Sequence, residues 1–298
     1  ETALALGNRV VMGQNLMDVN APDALLKPAP QMLAETEAHC AQWHGQDRGR
    51  IQYAWMPRFA ITSSEALLAG IGRLRQKYPD VYLHTHLSEQ LGEIEAVRAQ
   101  FPWAADYTDV YQRFGLLAPK TILAHGIHLS DDELGRIHAT ESALAHCPCS
   151  NFFLKSGRFR LLDVLARGLR FGLGSDVGAG PELSMFKVMK DAQFMQADAL
   201  VSLQSLFYAA TLGGARALLQ EDRIGNFESG KEADFLVLDT LGKSCMALPG
   251  GETGSLDTQS VTQNDPEGIL SPLVYMGDER LVRATYVRGR NVYGNSWE

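Results

Sequence analysis

The sequence predicts an α/β protein whose parallel sheet is of the TIM-type (β/α)8 barrel class, followed by a smaller β-rich segment. Three observations predict it. Strand-like and helix-like stretches alternate six times between residues 8 and 219, and parallel strands need such helical crossovers. Three apolar runs close on ionisable residues: Val81-Tyr-Leu-His-Thr-His-Leu-Ser-Glu89, Thr121-Ile-Leu-Ala-His-Gly126 and Arg170-Phe-Gly-Leu-Gly-Ser-Asp-Val177. Barrels gather their working groups at the C-terminal ends of strands in this way. No Gly-rich phosphate turn follows the first strand, which counts against an open doubly wound sheet. The strand count falls short, however. Six strands start near residues 8, 51, 81, 121, 142 and 170, where a closed barrel has eight.

Each element has a local reason. Residues 1–7 read as the last turn of a helix capped by Gly7, and residues 8–13 as a short strand. Met32, Leu33, Thr36 and Cys40 recur at helical spacing and predict a helix over 28–48. Residues 51–56 form a strand that runs into Pro57-Arg58-Phe59. Ser63 and Ser64 can cap a helix over 65–77, with Leu67, Leu68, Ile71 and Leu74 on one face. The strand over 81–87 follows, then helices over 88–98 and 106–114, then the strand over 121–125. Ser130-Asp-Asp-Glu133 has the form of a capping box and opens a helix that reaches His138. A strand over 142–147, a helix over 159–167 and a strand over 170–174 complete the alternation. Pro181 suits the first turn of a helix over 182–197, and 203–219 is read as the last helix. Beyond it, 224–238 alternates like a strand, 245–265 is rich in turn residues, and Gly289 centres a hairpin. The division is therefore 1–219 for the barrel part and 220–298 for the β-rich segment.

Composition narrows the function. Net charge is −8 with both signs interspersed, and no basic stripe argues for nucleic acid. No apolar run reaches the ~18 residues of a membrane span. Glu1-Thr-Ala-Leu-Ala-Leu-Gly7 lacks a basic n-region and a cleavage site, so it does not read as a signal peptide. Four cysteines in 298 residues make no disulfide framework and fit a reducing cytoplasm.

A divalent ion of the zinc type takes imidazole and carboxylate ligands, and it ionises water near pH 7. His86 and Asp176 supply one of each from different strands. Glu89, three residues past His86, is placed to carry protons. His125 is a further ligand or a hydrogen-bond partner of the activated water. His84 shares a face with His86, so the two form either a chelating pair or one ligand and one barrel-lining residue. His146 with Cys147 and Cys149 suggests metal, but a C-x-C lacks the second pair of a structural zinc site. Buried thiols are the better reading. Arg58 beside Phe59 suits a flat polar substrate, or is a surface arginine paired to an acid.

His86-Leu-Ser-Glu89, Ala124-His125-Gly126, Ala145-His-Cys-Pro-Cys-Ser-Asn151 and Gly172-Leu-Gly-Ser-Asp176 resemble the amidohydrolase superfamily, in its branch of ring deaminases. Ile224-Gly-Asn-Phe-Glu-Ser-Gly-Lys-Glu-Ala-Asp234 looks like that superfamily's return strand. Gly13-Gln-Asn-Leu-Met-Asp18, Pro57-Arg58-Phe59, Tyr107-Thr-Asp-Val-Tyr111, Thr211-Leu-Gly-Gly-Ala-Arg-Ala217 and Tyr275-Met-Gly-Asp-Glu-Arg280 are similar to members that deaminate guanine. The resemblance runs from about residue 8 to residue 293.

The resemblance implies a cytoplasmic, homodimeric hydrolase holding one Zn2+ per subunit, with Fe2+ as the other candidate, and turning guanine into xanthine and ammonia. His86 and Asp176 match ligands, His125 a histidine beside the metal water, Glu89 the proton shuttle, and Arg58 and Phe59 purine contacts. His84 matches no required position and becomes barrel lining. The family's His-x-His pair at the end of strand one has no counterpart before residue 80. Together with the strand count, this leads us to expect that strands one and two and the first sandwich strands lie outside this chain. Two alternatives stay open. One is a related enzyme acting on cytosine, a triazine or an adenosine derivative, and the other is a fragment without activity.

Overall fold

The computed structural model describes residues 1–196, 199–238 and 266–294. The chain divides into two compact units. The first comprises Glu1–His146, Lys155–Phe171 and Ala217–Leu219, and the second Cys147–Leu154, Gly172–Arg216 and Gln220–Glu298.

A parallel sheet organises the first unit, though of its last strand only Phe171 falls in that unit. Its strands are β1 (Val10–Met12), β2 (Asn15–Leu16), β3 (Ile51–Pro57), β4 (Tyr82–Leu87), β5 (Thr121–His125), β6 (Ala143–His146) and β7 (Phe171–Leu173). The order is β1-β3-β4-β5-β6-β7, with β2 also paired to β3. From β3 to β7 every strand neighbours the next in the chain, as a barrel requires. The curled parallel sheet is that of the TIM-type class. It holds seven strands among the described residues. The two-residue β2 was too short to show in the sequence.

Helices cover the sheet with apolar faces. Leu67, Leu68 and Ile71 of the helix Glu65–Lys77 are fully buried, as are Trp55 and Leu83 on the strands. Ser64 caps that helix by accepting the Leu67 N–H at 3.1 Å, and its own hydroxyl bonds Asp18 at 2.5 Å. The capping box at Ser130 also forms, and it opens the helix Asp131–Ala139.

Several helix boundaries differ from the sequence reading. The helix over 28–48 splits into Ala29–Trp43 and Gln46–Gly49, because Gly45 adopts a left-handed φ of 80°. The helix expected from 88 starts at Leu91, since Ser88 turns left-handed at φ 48°. The one expected over 182–197 spans Met185–Phe194, and Pro181 lies outside it. The one over 203–219 breaks at Thr211 into Leu203–Ala210 and Leu212–Ala217.

In the second unit, the helices Met185–Phe194, Leu203–Ala210 and Pro266–Met276 pack together, and Pro148–Phe153 lies on the first of them. Neither Pro148–Phe153 nor Pro266–Met276 was anticipated. The latter carries Pro272 in its interior, which disguises it as a break. The sheet β10-β9-β8 is antiparallel, with β8 at Phe235–Leu238, β9 at Val282–Val287 and β10 at Arg290–Gly294. Arg288 and Gly289 turn the hairpin with φ of 51° and 73°, the values of a two-residue type I′ turn. Phe235 stands opposite Tyr286, and their rings stack at 4.6 Å. The stretch 224–238 is strand only over its last four residues. The turn-rich stretch 245–265 lies outside the described residues. Among those residues no helix is long and apolar enough to cross a membrane.

Candidate active site

The C-terminal ends of β4 and β5 set the first unit's polar cluster. Their register pairs His86 with Ala124 and Leu87 with His125. Both strands stop by turning sharply. Ser88 follows β4 at φ 48°, and His125 itself sits at φ 70° with Gly126 at φ 60°. A Cβ on Gly126 would stand 2.8 Å from Leu144 Cδ2, so the turn needs glycine there. Left-handed backbone at Ser88 and His125 costs energy, and such strain often gathers at working sites.

Three rings form a stack at this edge. Phe59 lies on His86 with centroids 4.0 Å apart, and His86 faces His125 at 5.2 Å. His86 Nδ1 donates to the Arg58 carbonyl at 2.7 Å. A carbonyl only accepts, so the proton sits on Nδ1 and the lone pair on Nε2. Burial and the neighbouring His125 push the His86 pKa down to about 3, so the ring is neutral at neutral pH. Behind it, Tyr111 donates to the His86 carbonyl at 2.8 Å and lies 2.9 Å from the Thr85 hydroxyl.

Glu89 is buried beside this stack. Its Oε2 lies 3.7 Å from His125 Nε2. Its backbone N–H and that of Gln90 both donate to Glu93 Oε2, at 3.0 and 3.1 Å. The carboxylate is thus aimed by the turn it sits on. Arg58 is exposed with its guanidinium 5.4 Å over the Phe59 ring. Its Nη1 donates to Met17 Sδ at 3.8 Å, and among the described residues no carboxylate pairs with it.

Asp176 belongs to the second unit and ends the run after β7. It too is left-handed, at φ 50°, and its carbonyl accepts the Gly180 N–H at 2.7 Å. His84 sits half-buried on β4 two residues before His86. Cys40, Cys147 and Cys149 are buried and stand outside any disulfide.

The sequence reading undervalued three residues. His146 ends β6 with no exposed surface, its ring stacked on Phe159 at 4.3 Å, and neither nitrogen has a hydrogen-bond partner. Burial pushes its pKa down to about 3. An unpaired buried imidazole is costly to keep. Ser156 donates to Glu89 Oε1 at 3.1 Å, and Gln90 Nε2 donates to Ser156 at 2.7 Å. Nothing in Phe153-Leu-Lys-Ser156 marks that serine in advance, because only the fold brings it to Glu89.

Neutral imidazoles and a nearby carboxylate are the donor kinds a zinc-type ion accepts, and the Nδ1 bond that orients His86 is how such ligands are held. In chemical kind the residues fit. Among the described residues no three His, Cys, Asp or Glu side chains come close enough together to hold an ion.

Comparison with known proteins now decides the family. The model of the amidohydrolase family matches residues 2–292. The chain belongs to that family. Among curated amidohydrolase relatives, the guanine deaminase of Escherichia coli (strain K12) is 37% identical over 295 residues, covering 98% of this chain and 64% of its own length. A probable guanine deaminase of Deinococcus radiodurans is 41% identical over 301 residues, covering 99% and 66%. The chain thus spans about two thirds of these relatives' length. Among solved structures, the E. coli guanine deaminase superposes with a TM-score of 0.90 at 36% identity, over 99% of this chain and 67% of that one. A guanine deaminase from C. acetobutylicum with bound guanine in its active site superposes at 0.83 with 29% identity, over 97% and 67%.

Proposed function

We propose that this protein hydrolyses guanine to xanthine and ammonia, exchanging the C2 amino group for oxygen from water. The observation that carries the proposal is the buried Glu89 carboxylate beside the Phe59–His86–His125 ring stack. Relatives named guanine deaminase share the fold and over a third of the sequence, which supports guanine as the substrate.

In this reading His86 and Asp176 would hold the metal ion, and His125 would be a further ligand or bond the attacking water. A zinc-type ion, one per subunit, would supply water ionised near neutral pH. Asp176 would accept a proton from the attacking water. Glu89 would give its proton to ring N3 and then pass the proton held by Asp176 to the departing amino group, a role that needs a carboxyl within hydrogen-bond reach. Phe59 offers a flat face for the purine, and the Arg58 fork binds its oxo group and a ring nitrogen. Burial excludes bulk water and strengthens these contacts. The functional division places this chemistry on residues 1–219 and the β-rich accessory segment on 220–298. The reading extends to a homodimer in the cytoplasm, a compartment that buried cysteines outside any disulfide suit.

A substrate panel tests the proposal. Ammonia release is measured from guanine, cytosine, an aminotriazine and adenosine with the full-length, metal-loaded protein. Guanine is expected to exceed the others in kcat/KM by at least roughly 100-fold, because a site built to pair a substrate's polar edge rejects analogues lacking it. A preference for any other member of the panel contradicts the assignment.

A further inference from the structure

Ser156 sits against the carboxylate assigned to proton transfer, yet the chemistry above gives it no part. It is 4% exposed. Its hydroxyl donates to Glu89 Oε1 at 3.1 Å and accepts from Gln90 Nε2 at 2.7 Å. Its carbonyl accepts from His128 Nε2 at 2.8 Å. The next residue, Gly157, has a φ of 131°, and a Cβ there would stand 3.0 Å from Ile127 and 3.2 Å from His128. The loop is therefore fitted to this place and held from three sides.

The hydrogen-bond inventory makes the arrangement directional. A hydroxyl owns one proton. Gln90 fills an acceptor position on Ser156 with an amide hydrogen, so the serine's own proton goes to Glu89. The reversed Gln90 amide would compete for that proton and leave Glu89 Oε1 without its donor, so the polar network selects the orientation observed. An oxygen that accepts this bond stays an acceptor. The other oxygen, Oε2, faces His125 at 3.7 Å, and among the described residues no hydroxyl donates to it.

We propose that Ser156, locked by Gln90 and His128, is a positioning residue that fixes which oxygen of Glu89 carries the proton. Oε1 is the anchored oxygen and Oε2 the working one. The inference rests on the deaminase reading and deepens it, because a carboxylate free to rotate would present either oxygen and lose its aim. Aim matters because proton transfer requires the carboxyl in register with the ring nitrogen.

The test uses the full-length, metal-loaded protein with guanine as substrate. Ser156→Ala is expected to lower kcat roughly 10–100-fold, the usual loss when a partner of a working group is removed, with KM changed less than about 3-fold. Ser156→Thr keeps the hydroxyl and restores most of the rate. Gln90→Glu presents an acceptor to Ser156, draws its proton away from Glu89 and reproduces the loss. In a Glu89→Gln background, adding Ser156→Ala is expected to change kcat less than about 2-fold, since residues acting through one another are not additive.

An equal fold loss in both backgrounds would mean that Ser156 only holds the loop, and it overturns the proposal. So does a Ser156→Ala protein at wild-type kcat. A crystal structure of Ser156→Ala gives a readout apart from rate: Glu89 rotated or in two conformers supports the proposal, and an unmoved Glu89 overturns it. If Ser156→Ala does not fold, Gln90→Glu and Ser156→Thr carry the same kinetic comparison. Failure of the wild-type protein to deaminate guanine sinks the functional reading itself and is distinct from these outcomes.

Discussion

At the scale of single residues, burial and directed hydrogen bonds do most of the chemical preparation. His86 is kept neutral by burial and oriented by the Arg58 carbonyl, so its Nε2 lone pair is ready without a deprotonation step. Arg58 holds its guanidinium fork over Phe59, with Nη1 donating to Met17 Sδ at 3.8 Å. Arg58→Ala is expected to raise KM for guanine at least ~10-fold, and Arg58→Lys to recover little, because an ammonium cannot reproduce a bidentate contact. Steady-state kinetics on both variants check this.

His146 makes a prediction about pH. Its pKa falls from the usual 6.5 to about 3 in the folded chain. Below pH 6.5 the unfolded chain therefore binds a proton that the folded chain refuses. Its contribution is fully present above pH 6.5 and is lost as pH drops toward 3. His146→Phe keeps the stack on Phe159 and removes the titration. Denaturant unfolding of metal-free protein between pH 7 and 4.5 is expected to show a smaller stability loss for the variant than for the wild type. An identical loss would contradict it.

His86, Glu89, His125 and Asp176 stand out in the sequence because each closes an apolar run. His146 does so too, but its isolation from any partner exists only in the folded chain. Ser156 and Gln90 gain their meaning from a contact spanning 66 residues, which no local pattern encodes.

At the scale of elements, strand ends and helix starts are where local signals and tertiary demands meet. The helix Glu65–Lys77 was legible to the residue, since its cap and apolar face agree. The helix after β4 starts later than periodicity suggests because Ser88 turns left-handed and Gln90 takes the cap position. Ser64→Ala removes a cap bonded to both Leu67 and Asp18. The expected cost is about 1–2 kcal/mol of stability, read as a lower melting temperature with kcat for guanine unchanged. Gly126→Ala meets both a left-handed φ and Leu144 at 2.8 Å. It is expected to lower both melting temperature and kcat, because the strain would move the adjacent His125.

At the scale of the whole molecule, the parallel order of β1 and β3 through β7 was legible from alternation alone, since crossover helices leave a period that composition cannot hide. The helix Pro266–Met276 and its packing were not legible, because an interior proline reads as a stop. The amidohydrolase match and the E. coli superposition extend over nearly the whole chain. The central claim is that Glu89 moves the proton in guanine deamination. Xanthine formation from guanine by the full-length, metal-loaded protein and by Glu89→Gln tests it most directly. A loss of at least roughly 100-fold in kcat, with guanine still bound by the variant, is the predicted result. Undiminished xanthine formation by Glu89→Gln would contradict the account.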